Sequence, residues 1–522
     1  NKVVSNILTS TVIGLDAYKI LVETDTNNSL PGVTIVGLPD AAVSEAKERV
    51  RSAIKNSGFT FPTKKIIINL APADIRKEGT NYDLPIAIGI LAKDGLINEE
   101  DLKNTAFIGE LSLDGSIRPV NGILPIVSGL KELNIDKIFV PFENRIEAAI
   151  INNVKIYPVK TLSEVVYNFM KGHVNYKPVE PFKIDIQSYI NELKENDKEL
   201  TSYDFKDVKG QTMAKKAMEI AAAGGHNLLM VGSPGSGKTL LSKCFNSILP
   251  PLTLEEAIEL TKIYSVSGLL HRDKPLIYKR PFRAVHHLAS SVGIIGGGSN
   301  PKPGEITLAH RGVLFLDEIV EFPRNVLEVL RQPLEDGEVT ISRAQTSVKY
   351  PSDFMLLAAM NPCPCGFLGD KEKKCTCGEY QIKKYRSRLS GPLLDRIDLQ
   401  IEVPRLTVEE LTNYNDTQAE SSSEIKKRVI KAREIQAARY KGYGILTNSQ
   451  LTPKLVKKFC KMTEDCEPVL KMAISKFQLS GRAYDRLLKI TRTIADLAND
   501  DIISSKHIAQ ALQFRNFIYN DN

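Results

Sequence analysis

The sequence predicts an α/β multidomain protein that closes with a helical block. Three observations carry this. In the first third, β-rich runs such as Val33-Thr34-Ile35-Val36 and Lys65-Ile66-Ile67-Ile68-Asn69-Leu70 alternate with helical patterns over Asp40–Asn56 and Leu84–Asp94. In the centre, apolar runs at Leu228–Val231, Gly312–Leu316 and Phe354–Met360 each end in glycine, acid or amide residues. Past residue 425, segments such as Ile425–Tyr440 and Arg482–Asn499 repeat apolar residues at three- and four-residue spacing.

These patterns divide the chain into five parts. A mixed α/β domain covers 1–170. A polar linker covers 171–203, with Pro178 and Pro181 and room for one amphipathic helix. A second α/β domain covers 204–405, a polar hinge 406–424, and a helical domain 425–522. No internal repeat is visible.

Composition is that of an ordinary globular protein, 42% hydrophobic and 25% charged over 522 residues. Lys and Arg number 69 against 62 Asp and Glu, a net charge of +7. That bias permits a nucleic-acid partner without arguing for one. No stretch approaches the roughly 20 apolar residues of a membrane span, so no membrane partner and a cytoplasmic location are expected. Seven cysteines do not make a disulfide scaffold, yet four crowd into Cys363–Cys377.

The first central run leads into Gly232-Ser233-Pro234-Gly235-Ser236-Gly237-Lys238-Thr239, which fits G-x-x-x-x-G-K-[ST]. Glycines let backbone N–H groups turn inward onto phosphate oxygens. Lys238 brings a positive charge to the β- and γ-phosphates, Thr239 a hydroxyl for Mg²⁺, and the following helix its N-terminal dipole. A chance Gly-rich turn is the alternative, and the strand before and helix after oppose it. ATP and Mg²⁺ are the expected cofactors.

The second run ends in Asp317-Glu318. Asp317 suits the Mg²⁺ shell and Glu318 the polarisation of an attacking water. The third ends in Asn361, placed to orient that water or sense the γ-phosphate. Arg396 follows in Ser390-Gly391-Pro392-Leu393-Leu394-Asp395-Arg396-Ile397-Asp398, and Arg482 opens a helix after Ser480-Gly481. For each arginine a plain surface charge is the alternative.

The order of these parts resembles the AAA+ superfamily: phosphate loop, acid pair, polar sensor, arginine finger, lid arginine. The resemblance implies that Arg396 reaches the ATP of a neighbouring subunit, that Arg482 is the lid sensor, and that the protein is a homo-hexameric ring. The long gap between Lys238 and Asp317 holds Phe282–His287, Gly293–Gly298 and Pro303–Gly312. A hairpin pattern follows at Gly337–Ala344. These look like the helix-two insert and pre-sensor hairpin of the magnesium-chelatase and MCM branch.

The whole chain resembles the ComM/YifB family of magnesium chelatase-like proteins. The phrases that carry this are Gly37–Asp40, Asn69–Asp74, Asn361–Gly366, Ser390–Asp398 and Arg492–Leu497. The family implies a hexameric ATPase on single-stranded or branched DNA, driving branch migration in recombination or natural transformation. It also implies a Lon protease-like first domain. Lon-type proteases use a Ser–Lys pair; here Asn81 falls on the serine and Leu124 on the lysine, so the domain reads as a non-proteolytic scaffold or collar. Two alternatives remain open: a chelatase-type motor remodelling a protein partner, and an ATP-dependent protease.

Cys363-Pro364-Cys365 and Cys375-Thr376-Cys377 can close a tetrahedral zinc site, making structural Zn²⁺ a further expected cofactor. Four reduced structural cysteines are the alternative. His286 and His287, being adjacent, are read as insert residues with a place near the nucleotide or DNA, rather than as ligands of one ion. Arg343 and Lys349 on the hairpin are candidates to hold a DNA backbone in a central pore, with exposed sheet charge as the alternative.

Overall fold

The computed structural model describes residues 4–170, 177–197, 203–298, 301–342, 347–412 and 419–514. They form two compact units, Asn1–Asn196 with Leu254–Tyr278, and Asp197–Thr253 with Lys279–Asn522.

The first unit is built on β1 (Ser5–Ile13), β2 (Asp16–Asn27), β3 (Gly32–Val36), β4 (Lys65–Ala71), β5 (Thr105–Phe107), a short hairpin of β6 (Glu110–Leu111) and β7 (Ile117–Arg118), β8 (Lys137–Pro141) and β9 (Lys155–Val159). Seven strands make a mixed sheet in the order β3-β4-β2-β1-β5-β8-β9. Side chains alternate between its faces. Phe139 joins the core that includes Ile54, Ile68 and Leu84, whereas Ile138 and Val140 join a second core with Ile123 and Val127. Helices Ala46–Asn56 and Asp83–Lys93 supply the first core, and helix Ile123–Glu132 the second.

Asn81 lies in the turn ahead of helix Asp83–Lys93 and donates its amide to the Ser10 carbonyl at 3.0 Å. Leu124 is fully buried in the first turn of helix Ile123–Glu132. Neither side chain offers a nucleophile or a base.

The segment Leu254–Tyr278, which the sequence pattern assigns to the central domain, belongs to this first unit. The reason is physical. Helix Leu254–Val266 carries a buried set, Ala257, Leu260, Ile263 and Tyr264, that must be covered. Lys262 Nζ donates to Ser128 Oγ at 3.0 Å and Arg272 Nη1 to Glu143 Oε2 at 3.0 Å. The carboxyl of Glu147 is buried beside this segment, and burial pushes it up to about 8, against the opposing pull of Ser265.

The second unit contains β10 (Leu228–Val231), β11 (Phe282–Val285), a hairpin of β12 (Gly296–Gly297) and β13 (Lys302–Pro303), β14 (Val313–Leu316), a hairpin of β15 (Glu338–Ser342) and β16 (Ser347–Pro351), β17 (Met355–Met360) and β18 (Leu399–Glu402). Five strands pair in parallel in the order β11-β14-β17-β10-β18. Every residue of β10 and β14 is buried, as in a parallel sheet covered on both faces.

The helical block includes Ser422–Arg439, Pro453–Phe459, Cys466–Phe477, Gly481–Leu497 and Ser505–Gln513. Its Ile425, Val429, Leu487 and Ile494 share one core with Leu228 and Leu399 of the sheet. A buried polar chain reinforces the join: His226 contacts Asp398 through Nδ1 and Thr493 through Nε2, each at 2.7 Å. Arg439 and Arg492 converge on Asp496. Among the described residues, no helix is long and apolar enough to cross a membrane.

Candidate nucleotide site and cysteine cluster

The phosphate loop leaves β10 at Gly232. A Cβ there would meet the Val403 carbonyl at 2.3 Å, so only glycine lets β18 approach. Gly235 and Gly237 take positive φ values of 78° and 98°, the left-handed region that glycine tolerates best. Helix Lys238–Phe245 then begins, with Gly237 as its cap. Gln211 fixes the loop from the side, donating to Ser236 O at 3.1 Å and Pro404 O at 2.8 Å.

Lys238 is almost wholly buried. Its Nζ contacts the Gly232 carbonyl, Ser233 O at 3.1 Å and Asn361 Oδ1 at 3.3 Å. Burial lowers its ammonium to about 8, while Asp317 and Glu318 pull it back up. Thr239 Oγ1 lies 3.4 Å from Asp317 Oδ2. The loop, Thr239, Asp317 and Asn361 are thus one connected site.

Glu318 follows Asp317 with a φ of 51°, a left-handed conformation costly for a side-chain-bearing residue and typical of functional positions. Its backbone N–H donates to Asp317 Oδ1 at 2.9 Å. His287, two residues past β11, brings Nδ1 to 3.7 Å from Glu318 Oε2 and stacks on His286. The insert reading of His286 and His287 from the sequence allowed a place near the nucleotide, and His287 lies beside Glu318.

The two arginines form a separate group. Arg396 pairs with Glu335. Arg482 Nη1 donates to Asp395 Oδ2 at 3.0 Å, and Arg486 Nη1 to Leu394 O at 3.1 Å. Helix Gly481–Leu497 therefore starts on the turn that carries Arg396. Asn227 ties that turn to the sheet, donating to Arg396 O at 2.8 Å and accepting from Leu356 N at 2.7 Å.

The four cysteines meet. The Sγ atoms of Cys363, Cys365, Cys375 and Cys377 all lie within 4.8 Å of one another. Cys363 to Cys365 is 3.3 Å, Cys363 to Cys375 3.7 Å and Cys365 to Cys375 3.6 Å. The Cys365 and Cys377 amides donate to Cys377 Sγ and Cys375 Sγ at 3.3 and 3.4 Å. Donation from the Phe367 amide, first among several hydrogen bonds, lowers the Cys365 thiol to about 6.

Arg343 lies outside the described residues. Lys349 stands exposed on β16, but its Nζ is 3.6 Å from Glu338 Oε1 across the hairpin, so part of its charge is answered within the chain.

A loop of inward amides, a buried ammonium, a hydroxyl–carboxylate pair and an amide at the strand end fit a polyphosphate held with a divalent cation. Residues 204–411 match the family described as "Magnesium chelatase, subunit ChlI". Residues 22–144 match "Subunit ChlI of Mg-chelatase", and 419–515 its C-terminal family. The chain is 43% identical to the competence protein ComM of Haemophilus influenzae over 507 residues, 96% of each chain. It is 41% identical to YifB of Salmonella typhimurium over 97% of this chain and 96% of that one. Its first part is 31% identical to Lon protease 2 of Bacillus subtilis over 144 residues, 27% of this chain and 24% of that protein. At these identities over nearly its whole length, the chain belongs to the ComM/YifB family of magnesium chelatase-like AAA+ proteins.

Proposed function

We propose that the protein is an ATP-hydrolysing, ring-forming motor that drives branch migration on branched DNA, in recombination or natural transformation. The observation that carries the motor is the division of the site into two groups. Lys238, Thr239, Asp317 and Asn361 are joined to one another. Arg396 and Arg482 are joined instead through the turn around Asp395.

Bound ATP supplies the phosphoanhydride, and Mg²⁺ its counter-charge. Lys238 and the loop amides hold the phosphates. Thr239 and Asp317 would hold the cation. Glu318 takes the proton of the attacking water, and Asn361 positions that water. Arg396, with Arg482 beside it, serves the nucleotide of the neighbouring subunit, so hydrolysis needs a closed ring, a hexamer in this reading.

The relative named a competence protein supports DNA as the substrate. Lys349 and the β15–β16 hairpin are the proposed pore contacts, and the cytoplasm the proposed location. The buried Leu124 and the amide of Asn81 weigh against proteolysis. The magnesium-chelatase family match favours, as a second reading, a motor that remodels a protein partner. A DNA-stimulated ATPase assay separates the two. Forked or Holliday-junction DNA should raise hydrolysis at moderate salt, and no binding and no stimulation would sink the DNA reading.

A further inference from the structure

The cysteine loop packs directly on the phosphate loop. Gly366, with a φ of 88°, faces Pro234 so closely that a Cβ would lie 2.9 Å from Pro234 Cδ. Its N–H donates to Cys363 O at 3.0 Å, which links this contact to the first ligand pair. Arg405, just beyond β18, spans the two loops. Its Nη2 donates to Pro234 O at 3.4 Å, its Nε lies 3.3 Å from Asp370 Oδ2, and its Nη1 lies 3.5 Å from Glu372 Oε2. Asp370 in turn accepts from the amides of Glu372 and Lys373 at 2.8 and 3.0 Å, setting the turn that leads to Cys375. At the other end, Asn361 touches Lys238 and lies two residues before Cys363.

We propose that Cys363, Cys365, Cys375 and Cys377 bind one zinc ion that clamps the phosphate loop, so that metal occupancy sets nucleotide affinity. Four thiolates around zinc at about 2.3 Å place their sulfurs about 3.8 Å apart, close to the 3.6 and 3.7 Å separations here. Four ligands from two C-x-C pairs leave no open position, which makes the ion structural. Its structural effect is local. The segment 366–374 has few apolar anchors and depends on its ends being tied together. The phosphate loop, with positive φ at Gly235 and Gly237, depends on its flanks to hold its amides inward. Gln211 braces Ser236, and the metal-tied loop braces Pro234 through Gly366 and Arg405.

This inference rests on the phosphate loop binding nucleotide, and the test separates the two ideas. The full chain is purified without chelator, its metal content measured, and its affinity for a fluorescent ATP analogue determined by titration. Wild type should carry one zinc per chain. A Cys375→Ser/Cys377→Ser variant should lose zinc and about tenfold in affinity. Chelated and desalted wild type should weaken similarly and recover with Zn²⁺ alone. Arg405→Gln should keep its zinc yet lose affinity severalfold; this variant keeps the test open should the double variant fail to fold. Absence of zinc, iron in its place, or equal affinity with and without zinc would overturn the proposal. A wild type that binds no analogue would overturn the nucleotide reading as well.

Discussion

The Lys238 ammonium and the Asn361 side-chain oxygen lie 3.3 Å apart, which joins the end of β17 to the phosphate loop. In the proposed ATPase, Lys238 would hold the terminal phosphates, and Asn361 beside it would act there rather than on the base or sugar.

Asn361→Ala should therefore separate binding from turnover. Nucleotide affinity should change little, since Lys238 and the loop amides remain, while kcat should fall about 100-fold. Titration of a fluorescent nucleotide beside steady-state phosphate release reads both. A parallel loss of affinity would show that Asn361 binds rather than positions.

Arg396→Ala should lower hydrolysis by roughly 1,000-fold or more. Mixed with Lys238→Ala subunits, which cannot bind nucleotide but keep Arg396, activity should return. No rescue at any mixing ratio would argue against an arginine acting across the subunit boundary.

His226 bridges Asp398 and Thr493, and so fastens the helical block to the strand that follows Arg396. Removing the imidazole leaves two buried polar groups without that partner. His226→Ala should lower unfolding free energy by roughly 1–3 kcal/mol in a denaturant titration. Gly224→Ala should resemble it, because a Cβ would sit 2.2 Å from His226 Nε2 and 2.4 Å from Thr493 Oγ1.

Glu147 gives a pH dependence. Its carboxyl is raised from the ordinary 4.5 to about 8 by burial, so between those values the folded chain holds a proton that the unfolded chain has released. Its contribution to stability is full below about 4.5 and falls as pH rises to about 8. Thermal melts across that range should show the decline, and Glu147→Gln should flatten it. An unchanged slope in the variant would assign the decline to other groups.

Much of the candidate nucleotide site is legible in the sequence because its parts are local. Gly232–Thr239 is one strand–turn–helix, and Asp317, Glu318 and Asn361 each cap an apolar strand whose ends converge in a parallel sheet. The cysteine pairs are legible for the same reason: each is two residues apart within one short loop. The placement of Leu254–Tyr278 is not, since an amphipathic helix declares that it needs a core without saying which one. Gln211 and Arg405 are not legible either. Each meets the site from a distant part of the chain, and neither carries a motif. Arg482 was legible as a helix-opening arginine, but its seat on Asp395 depends on how the helical block packs.

In the proposed function, ATP hydrolysis in a closed ring moves a DNA junction. The most direct measurement follows a labelled, mobile Holliday junction during incubation with the full chain, Mg²⁺ and ATP. Wild type should convert it to branch-migrated products, and Glu318→Gln, which should bind ATP and junction but not turn over, should yield none. Rapid ATP hydrolysis by wild type with the junction left intact would contradict the proposed function.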